Sequence, residues 1–543
     1  KDLYPTVLAG VGVPLPGKER IATINARLSE ISTEFSNRLL NEAKAKCFVV
    51  DSEADLVGLP EAVKAAAAET AAKRGHKGKY AFTLSRPEVE TFLTSSERRD
   101  LREKLYTAFK QRGNANDAFD TKALIPEAIE LRQERARILG YKNHADMVTS
   151  HNMAKSPEAA LGLLTDLWPP ACHRFEEEKK ELQAEASAHG QNDPVQPWNW
   201  AFYAEKVRQK KYALDEAALK PYLELESVRE AAFSTASQLF GISFNLRPEI
   251  EAHHPEARTW EVLDKNGQHL GLFTGDYFAR DSKRAGAWMS ELRGQNALSG
   301  EHPHVYNVCN FAKPAEGQPA LLSLNDAVTL FHEFGRGLHG LLSQVDYPSL
   351  SGTNVRWDFV ELPSQLFEHW LTAPAVMKKH LHHVETGAAF PDDLIAKIKK
   401  SQTFNEGFET VRYLSSALLD MELHLLPSAK GLDVNAFEAA ILKKYALPEG
   451  AEGMHHLPHF KHSAEGGYSA QYYVYIWAGV LEHDAFAAFE EADNPFDAAT
   501  AHRRLENIYS AGNRRGPAET YRLFRGRDAT RDALLRNRGL VAG

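Results

Sequence analysis

The chain has 543 residues, 43% of them apolar and 25% charged, with a formal net charge of −9. That length suits a large enzyme with an internal cleft, and the composition is that of a folded soluble protein. No basic stripe offers itself to nucleic acid, no apolar stretch reaches the ~20 residues of a membrane span, and no signal peptide opens the chain. The sequence starts at Lys1 without a methionine, so a leader or a longer amino-terminal part is expected to precede it. Cys47, Cys172 and Cys309 are odd in number and widely spaced, which excludes a disulfide framework or a thiolate metal site. They read as buried free thiols in a reducing compartment. A cytoplasmic location follows, with a periplasmic or exported one as the alternative.

Residues 18–45 carry apolar positions at helical spacing among charges, 61–73 are alanine-rich, and 95–112 read as a charged amphipathic helix. Residues 127–139 end at Gly140, a carboxy-terminal glycine stop. The charge run 176–185 reads as a solvated helix face. The texture then changes: 259–263 and 268–273 read as strands around the turn 264–267, and 305–311 as a further strand. Helical patterning resumes at Ser323 and runs to the end, without a repeat or a low-complexity linker. The expected fold is mostly α, with a small sheet just before the helix at Ser323.

The segment 323–344, with a helix expected over about 324–342, is the most informative. Leu324, Ala327, Val328, Phe331, Phe334, Leu338, Leu341 and Leu342 fall on one stripe, and Ser323 or Asn325 can cap its start. His332, Glu333, Arg336 and His339 lie largely off the stripe and are expected to face something other than the core. In the motif H-E-x-x-H, two histidines one turn apart hold zinc, and the glutamate takes a proton from the bound water. His332 and Glu333 supply the first two positions, but Arg336 stands four residues after His332, where the second histidine belongs.

Downstream lie residues 351–365, reading SGTNVRWDFVELPSQ, then Glu368, and residues 462–475, reading HSAEGGYSAQYYVY. Together with the blocks at 137–144, 276–284, 305–314 and 538–540, the sequence resembles the thimet oligopeptidase, neurolysin and peptidyl-dipeptidase family of zinc metallopeptidases. Several blocks look closest to the bacterial peptidyl-dipeptidases. The resemblance implies a large two-lobed helical fold with a deep central channel and a small sheet near the active site. It implies an amino-terminal helical region over 1–225, shortened relative to the family, and a catalytic region over 226–543. One Zn2+ is implied, held by His332, by Glu361 and by a histidine at the position of Arg336. Glu333 is the implied general base, and Glu368 the residue that orients a ligand. His462, Tyr468 and Tyr475 are implied to stabilise the oxyanion, with Tyr472, Gly466 and Gly467 in substrate binding. Glu465 stands where bacterial relatives tend to have glycine, a change expected to stiffen that loop. The implied partners are short unstructured peptides, and the implied state is a monomer.

The arginine alters this picture. A guanidinium has no acceptor and is a permanent cation, so it cannot ligate zinc. His339 cannot replace the missing ligand, because seven residues place it about 10 Å along the axis, against zinc–nitrogen bonds of about 2.0 Å. His339 is expected to be a packing residue or a hydrogen-bonded neighbour. Arg336 is expected to take the metal's space and pair with Glu361, Glu333 or both. Zinc is then weak or absent, and the chain is a peptidyl-dipeptidase impaired in hydrolysis. The alternatives are a non-catalytic peptide-binding protein and an oligopeptidase that cleaves internally.

Overall fold

The computed structural model describes residues 14–541 except 215, 281–282, 284–285 and 315–316. The fold is mostly helical with a small mixed sheet, as the sequence pattern anticipates. The helices that matter below are α1 (Leu15–Ala45), α2 (Leu124–Ile138), α3 (Pro157–Ala188), α4 (Leu225–Phe240), α5 (Leu324–Leu341), α6 (Leu362–Glu368), α7 (Glu406–Leu425), α8 (Lys461–Ala464) and α9 (Val474–Glu491). The strands are β1 (Cys47–Val50), β2 (Tyr80–Thr83), β3 (Ser243–Leu246), β4 (Arg258–Leu263), β5 (His269–Phe278), β6 (Trp288–Arg293) and β7 (His304–Phe311).

The described residues gather into two compact units, each built from separate stretches of chain. One draws on the described part of Lys1–Lys211, Phe404–Tyr473 and Gly539–Gly543, the other on that of Tyr212–Thr403 and Val474–Arg538. In the first unit, α1 buries Ile24, Ile31 and Phe35, one stripe of an otherwise charged helix, and packs on α2. Helix α3 lies along α7, and Trp200 stacks between Phe175 and Phe408 at 4.7 and 4.5 Å. Strands β1 and β2 pair as an antiparallel ladder.

Sequence pattern and structure part in three places here. The helix expected over 95–112 is broken: one helix ends at Ser95 and the next spans Arg99–Lys110, because Ser96 is extended and its hydroxyl accepts from the Arg98 amide. The charge run 176–185 is not wholly solvated. Glu178 and Leu182 are buried in α3, and the Glu178 carboxylate accepts from the Gly407 and Phe408 amides at 3.0 and 2.8 Å, satisfying the open amino terminus of α7. The third concerns the cysteines, all of them free: Cys309 is buried, whereas Cys47 and Cys172 keep partial exposure. In the second unit α5 runs Leu324–Leu341, within one residue of its expected bounds.

The second unit carries the sheet, in the order β3-β4-β5-β7-β6, with every pairing antiparallel except β5 with β7. The turn between β4 and β5 forms as read from sequence: the Asp264 carboxylate accepts from the Asn266 and Gln268 amides, and Gly267 has φ +76°. Strands β3 and β6 are the two edges and give little alternation to read. Helix α5 starts on a reciprocal capping box between Ser323 and Asp326 and lies on the sheet. Phe233 of α4 gathers Phe244, Trp260, Phe273 and Phe334 into an aromatic core between helix and sheet. No helix among the described residues is long and apolar enough to cross a membrane.

Candidate active site

The site grows from two helices brought unusually close. A Cβ on Gly335 would stand 2.6 Å from Phe367 Cβ and 2.9 Å from the Pro363 carbonyl, so only glycine lets α5 and α6 touch here. On the opposite side, a Cβ on Gly340 would meet Glu291, Val305 and Met289 at under 3.0 Å, which seats α5 on the sheet. The glycines of F-G-R-G-L-H-G thus set the distance between His332 on α5 and Glu361 at the start of α6.

His332 lies between two carboxylates. Its Nδ1 is 2.6 Å from Glu368 Oε1 and its Nε2 is 3.3 Å from Glu361 Oε2. Burial works against the charged imidazole, but the hydrogen bonds to Glu361 and Glu368 outweigh it and hold the pKa at about 10. Arg336 Nη1 donates to Glu361 Oε1 at 2.8 Å. The Ser364 hydroxyl donates to Glu361 Oε2 at 3.0 Å. Glu361 is 1% exposed, and burial alone would raise its carboxyl, yet His332, Arg336 and Ser364 pull it down to about 2. The pairing with Glu361 is among those expected of Arg336 on sequence grounds.

Glu333 is buried on the same helix, and its Oε2 has no hydrogen-bond partner among the described residues. Burial raises its pKa against the opposing charges of His332 and Arg336. His339 is fully buried, its ring edge-on to Tyr509 at 6.0 Å and both its nitrogens without a hydrogen bond among the described residues. It faces the core, contrary to its expected place off the apolar stripe, and the packing reading of the sequence holds. Burial and then the charge of Arg336 push its pKa down to about 3.

His462, Tyr468 and Tyr472 lie in the first unit, and Tyr475 opens α9 in the second. His462, on the short α8, has its ring centroid 5.4 Å from that of Tyr468 and 5.1 Å from that of Tyr472. Burial lowers its pKa. Gly466 has φ +102°, and Ala470 sits at φ +58°, a region costly to a side chain. Two anchors hold this loop. The fully buried Asp420 of α7 accepts from the Ala470 and Tyr472 amides, both at 3.1 Å. Glu465 contacts the Ser36 hydroxyl of α1, while its carbonyl accepts from Ser32 at 3.3 Å. Sequence reasoning missed Asp420; its one signal was an Asp and a His one turn apart in an apolar helix.

A zinc site of this kind needs three protein donors and one open position. The donors present are one imidazole nitrogen and one carboxylate, and that carboxylate is already held by a guanidinium and a hydroxyl. These residues do not fit a zinc ion as they stand.

Comparison with known proteins places the arrangement in its lineage. The family model described as "Peptidase family M3" matches residues 92–540. This chain belongs to peptidase family M3. It is 41% identical to the dipeptidyl carboxypeptidase of Escherichia coli strain K12, over 98% of this chain and 79% of that protein. It is 35% identical to oligopeptidase A of the same organism, over the same shares. It is 31% identical to the probable cytosolic oligopeptidase A of Arabidopsis thaliana, over all of this chain and 80% of that protein. By family it is a metallopeptidase, and the family implies zinc. Arg336 is the point at which this chain's donors depart from that expectation.

Proposed function

We propose that the chain acts on short unstructured peptides as a peptidyl-dipeptidase, releasing carboxy-terminal dipeptides, and that Arg336 suppresses its hydrolysis. The observation that carries the second half is the 2.8 Å hydrogen bond from Arg336 to Glu361, which spends one donor and replaces another. The likeness to dipeptidyl carboxypeptidases supports the first half. In this reading Glu333 is the proton-holding group: it is buried, raised in pKa and unpartnered at Oε2. Glu368 fixes the His332 ring through Nδ1. His462, Tyr468 and Tyr475 serve the developing oxyanion, and Tyr472 with Gly466 and Gly467 holds the peptide backbone. No step is assigned to a metal in the chain as it stands.

The test compares this chain with its Arg336→His variant, by zinc content and by hydrolysis of a quenched peptide. The variant is expected to gain about one zinc over its parent. It should also cleave on the order of 10³-fold faster, about 4 kcal/mol of transition-state stabilisation. A parent that cleaves at a similar rate overturns the suppression. A variant that gains zinc yet only binds peptide supports the second reading, a non-catalytic peptide binder, which the Arg336–Glu361 pairing also favours. Mass spectra of the products decide between dipeptide release and internal cleavage, the latter in keeping with the likeness to oligopeptidase A.

A further inference from the structure

Two consecutive residues at the end of α6 serve different partners. Glu368 holds His332, whereas His369 Nε2 lies 2.5 Å from Glu482 Oε2 of α9. Glu482 is buried, and its other oxygen contacts Nδ1 of His483. One ligand atom from each of the three side chains falls within 4.8 Å of the other two. The rings are set by packing: His369 stacks on Phe486 with centroids 4.2 Å apart and planes 11° apart, and the two imidazoles meet edge to face at 5.4 Å.

We infer that His369, Glu482 and His483 form a transition-metal site of the two-histidine, one-carboxylate type, separate from the His332–Glu361 pair. The donor set is one that takes zinc or a similar borderline divalent ion, with a fourth position left to water. An ion about 2.1 Å from each donor needs those donors about 3.4 Å apart in a tetrahedron. The His369–Glu482 contact therefore opens by about 1 Å, within reach of side-chain rotation. The carboxylate is buried while both imidazoles keep part of their rings exposed, which gives an ion a way in. Glu368 and Glu490 add negative charge around His369. On entry the ion displaces the proton held between Glu482 and His369, which passes to solvent. If Nδ1 of His483 is the ligating atom, it also leaves the Gly479 carbonyl, 2.9 Å away.

The test uses the full, untagged chain, stripped with a chelator and dialysed against Zn2+, with bound metal counted by mass spectrometry. Co2+ absorption reports four-coordination. About one zinc per chain is expected, bound at least tenfold more weakly in His369→Ala and in Glu482→Gln, and unchanged in His332→Ala. His369→Gln, which keeps a donor for Glu482, gives the same readout should the alanine variant fail to fold. No zinc above background overturns the site. So does zinc that survives in a folded His369→Gln but is lost in His332→Ala.

Discussion

Glu361 in the second unit and Glu178 in the first are both buried, yet they lie on opposite sides of the ordinary carboxylate range. Burial raises each. Glu178 answers with two backbone amides and Arg174 at 3.2 Å, and remains at about 7. Glu361 answers with His332, Arg336 and Ser364, and falls to about 2. Two amides and one guanidinium offset the loss of water only in part at Glu178, whereas a guanidinium joined by a charged imidazole and a hydroxyl reverses it at Glu361. The difference is one of partners and not of depth.

Removing the partner tests this most directly. Arg336→Ala leaves Glu361 buried with His332 as its remaining cation, and should cost about 2–3 kcal/mol at pH 7 in a denaturant melt. An unchanged melt would mean that Glu361 carries no buried charge. Gly335→Ala leaves every charge in place but forces α5 from α6, at about 2 kcal/mol by the same measurement. If it costs nothing, the close approach does not set the Glu361 geometry.

Glu178 supplies the opposite pH signature. Its folded pKa lies above the ordinary 4.5, so the folded chain binds more protons than the unfolded one between the two values. Its contribution to stability is therefore complete below pH ~4.5 and falls by roughly 3 kcal/mol as the pH rises to ~7. Glu178→Gln should flatten that decline, read from melts across the range. The smallest effect is expected for Arg174→Ala. Loss of this partly exposed ion pair should cost about 0.5 kcal/mol at pH 7 and move the Glu178 midpoint upward.

Local features were legible in the sequence. The Ser323 cap, the apolar stripe of α5 and the Asp264–Gly267 turn follow from spacing alone, because each is decided within one or two turns of chain. His332 and Glu361 became a pair only through likeness to a family, since 29 residues and a second helix lie between them. Glu178 was misread because its partners, Gly407 and Phe408, are more than 200 residues away, and a charge run looks the same whether or not one of its members caps a distant helix. The edge strands β3 and β6 carry no period that survives their mixed burial. His369 and Glu482, 113 residues apart, left no pattern at all.

That last separation has a consequence during synthesis. Helix α6 packs against α9, yet most of the stretch made between them, Phe404–Tyr473, belongs to the other unit. On a ribosome adding about 5–20 residues per second, His369 emerges roughly 6–20 s before Glu482 exists to receive it. Through that interval Trp370 lacks the Phe486 and Phe489 rings that pack on it. The nascent chain has a defined window in which a holding chaperone has something to hold.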